Sequence, residues 1–311
     1  MLYVSTRNHI DSFTAYRTLH EDRAPDGGMF VPIRFPKLSA EEIDGFKNGS
    51  FGETVAFVLN LFFSTDLIGW DIDSCVGRYP YKLIPMSHKL IVSELWHNHE
   101  ADYNYLERQI YKKLTPDGFW GQKTTCWAKI AIRIAVICAI WGEIMAQETS
   151  AVDVALMMDD ISAPMSVWYA KKMGLPIGRI ICAGQDNGLF WDLVHRGEIN
   201  ASAQSNSVPG CAELLIYDVF GLEETKRFVN ACDCNRSFRI DESEMSELSE
   251  ALFVSVIGTQ RIESLISSIY RSCGYAADDS VALGFGGLQN YRAQTGCSNK
   301  TVLFGLKSAS R

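Results

Sequence analysis

Apolar residues along this chain recur with two periods, and the switches between them predict the order of elements. "KLSAEEIDGF" and "SFGETVAFVLNLFF" carry helical spacing between Pro36 and Phe63. Each opens on a serine with a glutamate three positions on, Ser39 with Glu42 and Ser50 with Glu53, the capping-box pattern of a helix start. "KLIVSELW" predicts a strand ending at Trp96, and "ADYNYLERQIYKKL" a helix with its basic residues late, as the helix dipole prefers. "TPDGFWGQK" is a loop, and a long apolar helix starts at Trp127.

Strands and helices then alternate. "VDVALMM" (152–158) is a strand, and "SAPMSVWYAKKMG" a helix closed by Gly174. "GRIICAG" is a strand and "NGLFWDLVHRGE" a helix. "CAELLIYDVFG" and "EETKRFVNAC" are further helices. "SEMSELSEALFVSV" begins as a helix and ends near a turn at Gly258. "TQRIESLISSIYRSCG" and "DSVALGFGGLQNYRAQTG" are helices, and "KTVLFGL" is a closing strand. This order implies an α/β fold, a largely parallel sheet with helices on both faces.

Composition narrows the classes. The 311 residues are 47% hydrophobic and 21% charged, enough to bury a substantial core. A formal net charge of -8 and a pI of about 5.3 argue against nucleic-acid binding and give no support for anionic membranes. "CWAKIAIRIAVICAIWGEIMAQ" is the most apolar stretch, but it carries Lys129, Arg133 and Glu143, which argues for a buried helix rather than a membrane span. The start, "MLYVSTRNHID", lacks the basic and apolar regions of a signal peptide. Nine scattered cysteines, several in apolar runs, predict free thiols in a reducing cytoplasm. Cys232 and Cys234 form a lone C-x-C with no second cluster to complete a zinc site.

Four separated stretches, in conserved order, resemble threonine synthase, a fold-type II pyridoxal-phosphate (PLP) enzyme. They are "YVSTRN" with "APDGGMFVPIRFPKLSAEEI", then "IVSELWHNHEADYNYLERQI", "MSVWYAKKMGLPIGRIICAGQDNGLFWDLVHRGEI" and "CGYAADDSVALGFGGLQNYR". The resemblance implies a single threonine synthase-like α/β domain over 1–311, the large lobe of the tryptophan synthase β-like fold. Its N-terminal part is 1–113 and its C-terminal part 124–311, with the small PLP lobe missing between them.

The departures run in one direction. The family's PLP-binding lysine falls on Asn104, whose amide forms no Schiff base. Its phosphate loop falls on "DDIS", which puts Asp159 and Asp160 where small residues with free N–H groups are needed. The S-G-D-T-G stretch has no counterpart. The substrate-holding arginine becomes Lys129 in "KTTCWAK", D-P-H-T becomes Asp278, Asp279 and Ser280, and the closing motif is cut to "SASR". The implied protein has no cofactor and is a catalytically inactive binding or regulatory homologue.

Several residues keep chemistry of their own. His97 and His99, at i, i+2 on extended backbone, are a candidate metal pair, with Asp159 and Asp160 as added oxygen ligands or acid–base groups. Alternatively Glu100 and Asp102 serve the start of the following helix and His97 is a retained family residue. Ser5, Thr6 and Arg7, with Asp26, Gly27 and Gly28, either hold an anionic ligand or form a glycine-dependent turn. Lys123 and Lys129 are further candidates for an anionic substrate. The alternative function is a PLP-independent lyase or hydrolase for a small phosphorylated or carboxylated amino acid such as O-phosphohomoserine. A third is a sensor that binds without turnover. The expected partners are a small anionic amino acid, and a protein partner or second copy covering the surface that a missing lobe exposes.

Overall fold

The computed structural model of the protein describes residues 1–95, 103–116, 126–158, 162–185, 189–200 and 210–306. The chain opens with β1 (Leu2–Ser5), β2 (Phe13–Thr14), α1 (Ala15–His20) and β3 (Phe30–Pro32), whose strands form an antiparallel sheet in the order β2-β1-β3. Next come α2 (Ala40–Asn48), α3 (Phe51–Phe63), α4 (Gly69–Val76), β4 (Lys82–Ser87), β5 (Leu90–Glu94), α5 (Tyr103–Leu114) and α6 (Trp127–Met145). The expected capping boxes are present: Ser39 accepts from the Glu42 amide and Ser50 from that of Glu53, with both glutamates reaching back to the serine amides.

The alternating half follows. It holds β6 (Val152–Met157), α7 (Ser162–Met173), β7 (Ile177–Gly184), α8 (Leu189–Arg196), β8 (Glu198–Asn200), α9 (Gly210–Phe220) and α10 (Leu222–Asp233). It closes with β9 (Ser237–Arg239), α11 (Glu242–Ala251), β10 (Leu252–Val256), α12 (Thr259–Cys273), α13 (Asp279–Thr295) and β11 (Thr301–Gly305). As expected, Gly174 ends α7 with a positive φ of 115°.

Six strands form the central sheet in the order β10-β7-β6-β11-β5-β4. All neighbours are parallel except the edge pair β4–β5. Two features lie beyond the sequence reading. "ALFVSV" leaves the helix at Leu252 and becomes β10, the far edge strand, paired Leu252 to Ile180. The closing strand β11 sits in the middle, with Thr301 opposite both Leu90 and Asp153. The side-chain alternation of a strand explains why both faces are apolar. Val154, Leu156, Val302 and Phe304 join the core with α6 and α7, while Ala155, Met157 and Leu303 join the smaller clusters beneath α12 and α13.

Helix α6 is the axis of the larger core. Of its residues only Glu143 and Met145 are not buried. Trp127 at its start meets Tyr3 edge-on at 6.0 Å and Tyr169 at 5.6 Å. The Trp127 Nε1–H donates to the Tyr3 hydroxyl at 3.2 Å, and that hydroxyl donates to the Phe62 carbonyl at 2.6 Å, so β1, α3 and α6 are tied at one point. Among the described residues no helix is long and apolar enough to cross a membrane. Cys126, Cys138 and Cys182 are buried free thiols, and burial pushes Cys182 up to about 12.

Candidate functional site

In an open parallel sheet, ligands bind beyond the carboxyl ends of the strands. Here that edge is formed by the ends of β5, β6 and β11, facing the starts of α5 and α7 and the first half of α6.

Three helices send polar side chains inward there. Glu107 from α5 is fully buried, as is Ser162, the first residue of α7. Arg133 from α6 is nearly so, and it bridges them: its Nε–H donates to Glu107 Oε1 and its Nη1–H to Ser162 Oγ. The second carboxylate oxygen, Glu107 Oε2, is buried without a hydrogen-bond partner among the described residues. An unpaired charge in an apolar helix is costly, so an arginine inside "AIRIAV" demands such a partner. Next to Arg133, a cavity bordered by Leu95, Ser166, Phe304 and Leu306 measures about 10 Å³, room for at most one water.

The opposite rim is also polar. Glu94, the last residue of β5, accepts from the Tyr275 hydroxyl at 3.0 Å. Burial and then the Glu94 charge push the Tyr275 phenol up. Asp278 caps α13, taking the Val281 amide on Oδ1 at 3.1 Å and the Ser280 hydroxyl on Oδ2 at 2.6 Å. Ser280 in turn accepts the Leu306 amide at 3.0 Å, which fastens α13 to the end of β11. Burial raises the Asp278 carboxyl above its ordinary value despite those hydrogen bonds.

The candidate residues from the sequence divide into three groups. Asn104 is the second residue of α5 and is exposed. Lys129 is buried one helical turn before Arg133, on the same face of α6. His97, His99, Glu100, Asp102, Lys123, Asp159 and Asp160 lie outside the described residues. Among those described, no three His, Cys, Asp or Glu side chains gather in a metal-binding group.

Ser5, Thr6 and Arg7 form the third group, at and just beyond the end of β1. Arg7 grips the fully buried Glu213 of α9 with two parallel hydrogen bonds, Nε to Oε1 at 3.0 Å and Nη2 to Oε2 at 2.9 Å. Thr6 donates to Glu213 Oε1 at 2.5 Å and accepts the Met29 amide at 2.8 Å. Arg23 stands 3.5 Å from Oε2. Ser5 donates to Asp26 Oδ1 at 2.7 Å, and the same oxygen accepts the Gly28 amide at 2.9 Å. A side chain at Gly28 would have its Cβ only 2.1 Å from Ser5 Oγ, so the turn requires glycine there for close approach. Glu213 thus occupies the guanidinium fork that a free anion would use.

Glu107, Arg133, Ser162 and Glu213 were not among the sequence candidates. The signal for Arg133 was its isolation in an apolar run. Glu107 and Glu213 had none, because each meets its arginine only through tertiary packing.

Residues 2–79 match the family described as threonine synthase N terminus. A threonine synthase-like 2 protein of Pongo abelii is 31% identical over 106 residues, which is 31% of this chain and 22% of that relative. The match therefore spans under a quarter of the relative's length. The fold is similar to PLP-bound threonine synthase from Brucella melitensis, with a TM-score of 0.80 at 17% identity, covering 99% of this chain and 89% of that one. It is also similar to yeast threonine synthase, with a TM-score of 0.81 at 14% identity, covering 98% and 87%. The chain thus resembles threonine synthase in its N-terminal sequence, and its overall fold is similar to that of solved threonine synthases.

Proposed function

We propose that this protein is a threonine synthase-like binding protein that does not anchor PLP and acts without PLP chemistry. The observation that carries the reading is the side chain at position 104. A Schiff base needs an amine, and Asn104 at the start of α5 supplies a carboxamide. The residues present therefore do not fit a covalently held PLP.

A second observation supports the same reading. A phosphate held at a helix start needs free amides and a favourable dipole. At the start of α7, the Ser162 hydroxyl is already bonded to the Arg133 guanidinium, which is itself bonded to Glu107. Only residues 115–126 connect α5 to α6, too short a stretch to build a second lobe. On this reading the chain is one domain, the large lobe alone, and the surface beside α5 is open to a partner or a second copy. Buried free thiols agree with a reducing compartment such as the cytoplasm.

The direct test is thermal unfolding with and without PLP. A ligand that binds only the native state raises the melting temperature by mass action. The expected result is no shift and no aldimine absorbance band at millimolar PLP. A dose-dependent rise accompanied by such a band would overturn the proposal.

The pair of cations on α6, Lys129 and Arg133, favours one alternative, a site for a small anionic amino acid with or without PLP-independent lyase or hydrolase chemistry. A thermal-shift series with O-phosphohomoserine, together with metal analysis, tests it. Stabilisation lost in Lys129→Met supports a ligand site, and release of phosphate supports an enzyme. No shift at any concentration rejects both.

A further inference from the structure

A large cavity lies away from this edge. It measures about 870 Å³, within the range of small-molecule sites. It is lined by the end of α2, the starts of α3 and α4, residues 78–81 and the last turns of α6. Glu143, on its wall, is ten residues beyond Arg133 on α6, or about 15 Å along the helix axis. The two places are separate.

Two close backbone approaches shape the cavity. Gly142 lets the end of α2 lie directly on α6: a Cβ there would fall 2.2 Å from the Phe46 carbonyl oxygen. Gly52, in the first turn of α3, lets α4 press in, since a Cβ on it would meet the Gly69 carbonyl at 2.3 Å and Asp73 Oδ1 at 2.4 Å. The helices touch at these points and leave a wedge between them.

The lining has a distinct chemical character. Trp70 and Tyr79 are 69% and 77% exposed, and both border the cavity, as does Ile68 at 63%. Large apolar side chains left this open in one place mark a contact surface. Between them lie three carboxylates, Glu53, Asp73 and Glu143, against two cations, Lys47 and Arg78. Lys47 is already paired with Asp44 at 2.6 Å. Glu53 is held in its capping box, and Glu143 accepts from the Tyr81 hydroxyl at 2.8 Å. Asp73 Oδ1 is sealed from water and has no well-aligned donor. Burial raises the Asp73 carboxyl, while the Arg78 charge and the Gly52 amide act in the opposite direction.

We propose that this cavity binds a small organic ammonium ion with an apolar or aromatic body. Its N–H groups would donate to Asp73 and Glu143, and its body would pack against Trp70 and Tyr79. An ammonium adds the opposite charge to a lining with more carboxylates than cations, and it is attracted to aromatic faces. A neutral ligand of the same shape lacks the charge, and an anionic one is repelled by the carboxylates.

The probe is 2-phenylethylammonium, with 2-phenylethanol as the neutral isostere and 3-phenylpropionate as the anion. The readout is the indole N–H resonance of Trp70 in the 311-residue chain, assigned by its loss in Trp70→Phe. The ammonium is expected to shift this resonance saturably. The alcohol should bind about tenfold more weakly, the size expected from losing one charge-assisted hydrogen bond, and the carboxylate should give no saturable shift. Asp73→Asn should weaken ammonium binding by a similar factor. Should Asp73→Asn fold poorly, Glu143→Gln, at an exposed position, gives the same comparison. Equal binding of ammonium and alcohol, unchanged binding in the folded variants, or no shift with the ammonium at tens of millimolar would each overturn the proposal.

Discussion

Two buried clusters in this protein contain the same parts. In one, Glu213 meets both Arg7 and the Thr6 hydroxyl; in the other, Arg133 meets both Glu107 and the Ser162 hydroxyl. They differ in how completely the carboxylate is satisfied. Both oxygens of Glu213 are bonded to Arg7, with Thr6 and Arg23 added, and the network continues to the Met29 amide. Glu107 is bonded through one oxygen only, and its other oxygen is buried without a partner among the described residues. A buried ion pair stabilises only when its geometry and its remaining hydrogen bonds are complete. The Glu213 cluster is therefore a fastening of the N-terminal segment. The Glu107 cluster occupies the sheet edge without the same completeness.

The largest effect should come from breaking the complete cluster on one side. Glu213→Ala leaves Arg7 and Arg23 facing each other and Thr6 without its acceptor. Arg7 retains some solvent access, so the expected loss is about 3 kcal/mol, near the low end for a broken buried pair. Urea unfolding measures it, and a loss below about 1 kcal/mol would remove the structural role assigned to this cluster.

Replacing both partners sharpens the contrast. Glu107→Leu with Arg133→Met removes an incompletely satisfied pair, and stability should stay within about 1 kcal/mol of the parent or rise. Glu213→Leu with Arg7→Met also removes an acceptor from Thr6 and a neighbour from Arg23, and should cost about 2 kcal/mol. Equal costs in the two double variants would erase the distinction.

The smallest effect is a pH dependence at the rim of the Glu107 edge. Burial raises the Asp278 carboxyl in the folded protein, so between its unfolded and folded values the folded state holds more protons. Its contribution to stability therefore falls as pH rises through that window and is lost above the folded value. Asp278→Asn keeps a helix cap of similar strength and removes the titration. The variant should gain on the parent as pH rises from the acid range to neutrality, by under about 1 kcal/mol. A stability difference independent of pH would contradict it.

The sequence made some of this legible and concealed the rest for physical reasons. The helix starts at Ser39 and Ser50 are local devices, complete within four residues, and the strands of the parallel sheet announce themselves as apolar runs. Sheet order is not local: nothing in "KTVLFGL" says that β11 lies between β5 and β6 and not at an edge. Ser5, Thr6 and Arg7 were visible as polar residues in a familiar pattern, but Glu213, which decides what they do, lies 206 positions from Arg7. The proposal at Asn104 needs only one residue, because a Schiff base depends on a single amine. The Arg133 bridge was not legible, because it needs three helices to meet.

The most direct test of the central claim is reductive trapping. The protein is incubated with PLP, reduced with borohydride and mapped by peptide mass spectrometry, beside its Asn104→Lys variant. The expected result for the parent is no stoichiometric phosphopyridoxyl-lysine at any position, with only trace labelling of exposed lysines. Stoichiometric labelling of one lysine in the parent, Lys129 above all, would contradict the account and restore PLP to this fold.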